Sequence, residues 1–271
     1  MFILITLLSI FMKKVSLFSN IIFLLLLLSA CNNSTSETKQ SVSNDSVSAS
    51  SSVTLNNDSS LTANSFSQQS ITQVNHSADN DIYTTEMELS KFNEVEINCA
   101  SEVEYVTNNE YAIKITTDEK TASNLDINVH DQKLRISLTG NNNYNYLKFT
   151  IYGTSKLEDV ELTSACSFRN NGDLNPRGLY IDCNGASMIS LNNISTSELN
   201  IDCDGASSAN INNASCNNLD IDCNGASSIV IIGQCRNAEF EANGASSIDI
   251  KQLNCSKITK EEIMGASTLK K

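Results

Sequence analysis

The side chains of this 271-residue chain that could do chemistry are nine cysteines and 31 aspartates and glutamates; there are two histidines and no tryptophan. Cys183, Cys203 and Cys223 recur every 20 residues, and Cys216, Cys235 and Cys255 recur at 19 and 20. Asp182, Asp202 and Asp222 keep the same step, with Glu241 in the equivalent place and Asn184, Asp204, Asn224 and Asn243 two residues further on. From Asp182 to Asp249 there are nine acidic residues and a single base, Arg236. Unit charges about 5 Å apart repel by roughly 3 kcal/mol at an effective dielectric of 20. Such a column invites a hard cation, calcium, with Asp182, Asp202, Asp204 and Asp222 as its ligands. A solvated acidic face that keeps the protein soluble is the plainer alternative. A carboxylate column also meets the spacing of glycosidase acid pairs trivially, so it carries little weight for an enzyme. No Ser-His-Asp set, nucleophile elbow or phosphate loop is visible, and the Cys-x₂-Cys spacing of structural zinc is missing. With 18 Lys and Arg and a net charge of −13, the chain is not a general nucleic-acid binder.

The elements that must position these residues are repeats. Gly185, Gly205, Gly225, Gly244 and Gly265 each stand in a Gly-Ala-Ser corner, separated by 20, 20, 19 and 21 residues. Degenerate copies lie at Ser164-Ala165-Cys166 and Cys99-Ala100-Ser101. Before each glycine the pattern alternates, as in Leu219-Asp220-Ile221-Asp222-Cys223, which is the period of a half-buried strand. Asn/Asp-Gly at the corner permits the positive φ of a tight turn, and a second short apolar stretch follows, such as Ile229 to Ile232. A 20-residue unit of this kind suits one coil of a parallel β-helix, in which equivalent residues stack about 4.8 Å apart. Parallel crossovers favour a right-handed winding. Stacked Ala, Ser, Ile and Cys fill its narrow core. The fold class is therefore all-β, a single-stranded parallel β-helix with coils of about 20 residues. Stacked cysteines fall inside the Cα window of a disulfide, roughly 4.4–6.8 Å, but in-register side chains point in parallel and suit its torsion poorly. The first ladder reads as small buried hydrophobes, with a cross-coil disulfide as the alternative in either ladder. Lys251, Lys257, Lys260, Lys270 and Lys271 gather in the last coil, a guard against edge-to-edge pairing.

Residues 83–160 are less regular but also alternate, for example in Val95-Glu96-Ile97, Val103 to Val106 and Leu134 to Leu138. Asp118 to Asn124 fits one helical turn, and His130 to Lys133 a hairpin loop in which His130 has no chemical role. Residues 31–82 are rich in Ser, Asn and Thr and cannot bury enough apolar surface to offset ordering entropy, so they are expected to form a disordered tether. At residues 1–30, Lys13 and Lys14 precede an apolar run that ends Leu28-Ser29-Ala30-Cys31, the pattern of a secretory signal. Met12 makes a better start than Met1. That ending resembles a bacterial lipoprotein lipobox, which implies cleavage after Ala30 and a lipid on the Cys31 sulfur. Only a thiolate is nucleophilic enough for that thioether. Asn32 does not resemble the aspartate that retains lipoproteins at an inner membrane, so the outer membrane or cell surface is the expected location.

The Gly-Ala-Ser corners, together with Phe92-Asn93-Glu94-Val95 leading to Cys99-Ala100-Ser101-Glu102-Val103, resemble the auto-transporter adhesin head GIN domain family over about residues 89 to 271. Cys99 and Ser164 stand where that family usually has corner glycines. The resemblance implies a β-helical domain (residues 83–271, regular from 161) on an envelope-anchored protein, with no catalytic residues to carry over. The expected function is non-catalytic binding or structural work at the cell envelope. The ligand is a glycan or protein, and the membrane is reached through the lipid. A carbohydrate-active β-helix enzyme and a calcium-stabilised scaffold are the alternatives.

Overall fold

The computed structural model describes residues 71–76, 82–140, 144 and 146–271. The signal segment, Cys31 and most of the expected tether lie outside the described residues. The last part of the tether range holds a strand, β1 (Ile71–His76), paired antiparallel with β2 (Ile82–Glu88). The remaining strands are β3 (Glu94–Asn98), β4 (Glu102–Thr107), β5 (Ala112–Asp118), β6 (Leu125–His130), β7 (Lys133–Leu138), β8 (Leu147–Gly153), β9 (Asp159–Leu162) and β10 (Ser167–Asn171). They continue with β11 (Gly178–Cys183), β12 (Met188–Ser195), β13 (Glu198–Cys203), β14 (Ser208–Cys223), β15 (Ser228–Ala242), β16 (Ser247–Ile263) and β17 (Thr268–Lys270). One helical turn, α1 (Glu119–Ala122), follows β5, and the Asp118 carboxylate accepts the Thr121 N–H at 2.8 Å as its cap.

The described residues are nearly all β and form a parallel solenoid of about six turns. On one sheet face, β9, β11, β13, the second half of β14 and the ends of β15 and β16 stack in parallel register. On the other, β4, β10, β12 and the first halves of β14, β15 and β16 do the same, with β17 last. The Gly-Ala-Ser corner takes the chain from the first face to the second. On the return, β14, β15 and β16 run continuously from one face into the next.

The irregular part owes its irregularity to order, not to a different fold. β3 and β4 form a rung stacked directly on β9 and β10. The chain then leaves the solenoid at Asn108, and β7 and β8 return as another rung on the far side of β3 and β4, again in parallel register. Two rungs are thus out of sequence order, which hides the 20-residue period. β6 runs antiparallel to β7, β5 runs antiparallel to β8, and β2 runs antiparallel to β5, so this end of the solenoid is closed by antiparallel pairings. Its hairpin turn is made by Asp131 and Gln132, at φ 50° and 64°, the two positive-φ residues of a tight two-residue loop.

Inward side chains form continuous columns. Phe149, Val103, Phe168, Ile189, Ala209, Ile229 and Ile248 succeed one another through seven rungs, each buried. Where Phe240 replaces the isoleucine of the column Ile181, Ile201, Ile221, its neighbour Ala238 replaces the leucine of Leu179, Leu199, Leu219. The swap conserves volume in a close-packed layer. At the corners the alanine faces solvent and the serine is buried: Ser187, Ser207, Ser227 and Ser246 are each 2% exposed. The corner alanine therefore does not fill the core as expected. Its role is to be small outside a tight bend.

Candidate functional site

The outward positions of the first face make the most organised polar surface of the molecule. Strand alternation places every second side chain outside, and parallel register aligns them coil upon coil. One column runs Arg135, Glu96, Glu161, Asp182, Asp202, Asp222, Glu241, Glu262; its neighbour runs Lys133, Glu94, Asp159, Tyr180, Asn200, Asp220, Glu239, Lys260. Tyr180 is 49% exposed among the carboxylates.

Both ends of this face are neutralised by the chain itself. Lys133 Nζ lies 3.4 Å from Glu94, 3.4 Å from Asp159 and 2.5 Å from Glu161. These partners push its pKa up, against burial that works the other way. Asp159 is nevertheless raised, because its burial outweighs the nearby ammonium. Arg135 Nε donates to Glu96 at 2.8 Å. At the opposite end Lys260 pairs with Glu241 and, at 3.7 Å, with Glu262.

Between these ends lie Asp182, Asp202, Asp220 and Asp222, all raised, first by burial and then by each other or by adjacent acids. An amide two residues on relieves three rungs of the column. Asn98 donates to Glu96 at 2.7 Å, Asn184 to Asp182 at 2.7 Å and Asn224 to Asp222 at 2.9 Å. At the middle rung the amide is replaced by Asp204. Asp202 accordingly has a second carboxylate where its neighbours have a donor, and its pKa is pushed up to about 6 by burial, then by Asp204, Asp222 and Asp182.

The calcium reading of Asp182, Asp202, Asp204 and Asp222 finds no chelating geometry here. Among the described residues no group of three or more His, Cys, Asp or Glu side chains is disposed to hold a metal ion. In-register side chains leave the sheet in parallel and do not converge, and Asn184 and Asn224 already occupy one oxygen each of Asp182 and Asp222.

The five corner glycines sit at φ between 71° and 84°, as the Asn/Asp-Gly pattern requires. Ser164 takes the same turn at φ 71°, while Cys99, one rung earlier, is not among the positive-φ residues. All eight described cysteines are free. Cys183, Cys203 and Cys223 are 0% exposed, as small hydrophobes would be. Cys216 and Cys255 are partly exposed, with Cys235 buried between them. His130 stands on the hairpin turn, 3.0 Å from Asp131 and largely in solvent.

Two features of the face escaped the sequence, the Lys133 cluster and the amide-to-acid bonds, as did the buried Asn170 of β10 on the other face. Asn170 is 7% exposed; its side chain donates to the Gly172 and Asn192 carbonyls and accepts the Asn192 N–H at 2.8 Å. An i, i+2 Asp-x-Asn recurring at the coil period was the available signal for the second.

One solved structure shows the same fold. A putative adhesin from Bacteroides fragilis aligns with a TM-score of 0.54 at 14% identity, covering 70% of this chain and 96% of that one. A putative adhesin from Parabacteroides merdae (TM-score 0.47, 16% identity, 71% and 96% covered) and a putative lipid binding protein from Parabacteroides distasonis (0.47, 15%, 71% and 97%) are similar more loosely. No curated protein matches. A family model described as "putative auto-transporter adhesin, head GIN domain" matches residues 91–268, which span the solenoid from β3 through β16, and the chain belongs to that family.

Proposed function

We propose that this protein is an exported, lipid-anchored binding protein of the outer membrane or cell surface, with a non-catalytic β-helical head. Cys31 carries the lipid after cleavage behind Ala30, and the Ser/Asn/Thr-rich segment holds the head away from the membrane. The observation that carries the binding role is the first sheet face: two register-matched polar columns with Tyr180 exposed among them, on a rigid scaffold of an adhesin family. Asp182, Asp202 and Asp222 face out along one line, not across a cleft as an acid–base pair would.

The electrostatics select the ligand. An uncompensated row of carboxylates and amides accepts hydrogen bonds from hydroxyl-rich or cationic ligands and repels polyanions. The test is a glycan array and a matrix-protein panel with the full chain, run beside the Asp182→Asn/Asp202→Asn/Asp222→Asn variant. Retention by a neutral glycan or basic protein that the triple variant loses supports the reading; an empty panel counts heavily against it. New reducing or unsaturated ends on incubation with polysaccharides would replace it with an enzyme. Transfer of a Cys31→Ala variant from the detergent to the aqueous phase on phase separation checks the anchor.

A further inference from the structure

The binding reading leaves the second cysteine ladder unused. Cys216, Cys235 and Cys255 are in-register partners on three successive coils: Cys216 pairs with Cys235, and Cys235 with Cys255. Partners of this kind have Cα atoms about 4.8 Å apart, inside the span a disulfide bridges. Although in-register side chains leave the sheet in parallel, the Cys235 and Cys255 thiols lie within hydrogen-bond reach of each other. Access separates this ladder from the other cysteines. Cys183, Cys203 and Cys223 share the same register at 0% exposure, and Cys99 and Cys166 are 2% and 1% exposed. Cys216 and Cys255, at the two ends of the second ladder, are the partly exposed thiols among the described cysteines. Burial raises the Cys216 and Cys235 thiols alike, and Cys235 shares a side-chain hydrogen bond with Cys255 but not with Cys216, which selects Cys255 as its partner.

We propose that Cys235 and Cys255 are a modification site that closes a reversible cross-coil disulfide, its substrate being a small-molecule disulfide of an oxidising compartment. The Cys255 thiolate attacks one sulfur of the external disulfide and expels the first thiolate, leaving a mixed disulfide on Cys255. The Cys235 thiolate then attacks the Cys255 sulfur, forms the protein disulfide and expels the second thiolate. Two protein thiols are oxidised and one external disulfide is reduced to two thiols. The bond ties two adjacent coils near the end of the solenoid, where burial of the last coil falls off. Cys216 keeps its thiol, since Cys235 can bond only one neighbour and Cys255 is two coils away.

The test treats the full chain with oxidised glutathione, counts thiols under denaturing conditions and maps crosslinks by peptide mass. The expected result is the loss of two thiols without retained glutathione, a crosslink between Cys235 and Cys255, and a melting temperature higher than that of the reduced protein. Cys235→Ser, a near-isosteric change, should lose the crosslink and the melting difference and instead retain glutathione on Cys255. No loss of thiols, glutathione retained on Cys255 in the unaltered protein, or a crosslink mapped to Cys216–Cys235 or to the Cys183 ladder would each overturn the assignment.

Discussion

A Cβ on Gly225 would stand 2.7 Å from the carbonyl oxygen of Gly205, the equivalent residue one coil earlier. The same holds up the stack, at 2.9 Å for Gly205 on Gly185, 2.6 Å for Gly244 on Gly225 and 2.7 Å for Gly265 on Gly244. These glycines are needed twice over, for the left-handed turn and for the closeness of the next backbone. Gly185 differs, because its Cβ would meet Ser164 O at 3.2 Å. Gly185→Ala should therefore cost mainly the left-handed backbone, about 1–2 kcal/mol. Gly225→Ala adds overpacking against a backbone that cannot yield, for about 3 kcal/mol in all. Urea midpoints of the two variants, compared with the parent, measure the difference; equal losses would refute the stacking argument.

The rung before Ser164, at Cys99, does not take the left-handed turn of the glycine corners, so Ser164 does not stack on an identical corner. It still carries the strain of φ 71°. Ser164→Gly should relieve about 1–2 kcal/mol of that strain and lose about 0.5–1 kcal/mol to the freer unfolded chain. A net gain of about 0.5–1 kcal/mol in thermal or urea unfolding is expected.

Asp202, crowded by Asp204, binds a proton in the folded state up to about pH 6 that the unfolded chain has already released near pH 4. Across that window the folded state holds more protons, so stability falls as pH rises and the repulsion is fully present above pH 6. The raised Asp182, Asp220 and Asp222 act in the same direction. The lowered Glu96, Glu102 and Asp118 act the opposite way, below the usual carboxylate range. Asp202→Asn should raise the melting temperature at pH 7.5 and leave it unchanged at pH 4. After solvent screening the gain is on the order of 1 kcal/mol, about 2–4 °C. A gain independent of pH would show that packing, not charge, was changed.

Lys133 of β7 gathers three carboxylates from two other strands, Glu94 of β3 and Asp159 and Glu161 of β9. Lys133→Met keeps the stem but leaves half-buried Asp159 and its neighbours repelling one another. The expected loss is about 2 kcal/mol, between that of an exposed and a buried pair. Added salt should shrink it, because screening weakens the repulsion that remains. Melting curves at low and high ionic strength provide the check.

Most of the solenoid was legible in the sequence. A period of 19 to 21 residues, alternation before each glycine and Asn/Asp-Gly at each corner are local statements of the same fold, and from Asp159 to Lys270 the structure follows them strand for strand. The Asp131-Gln132 turn and the Asp118-capped helix were legible for the same reason, since their physics spans only a few residues. The rungs before Asp159 were not. β7 and β8 stack on β3 and β4 from the wrong side in sequence order, and no periodicity can report a rung that the chain visits late.

By itself the sequence determined that carboxylates, amides and thiols would form columns, because a repeat in register repeats its side chains. Only the tertiary structure decided what each column amounts to. Lys133 and Lys260 neutralise the two ends of the acidic face across neighbouring coils, Asp204 leaves the middle rung without an amide, and one thiol ladder is sealed while the other is open at both ends. Charge balance and access depend on which residues meet across coils, and that is a property of distance in space, not of distance along the chain.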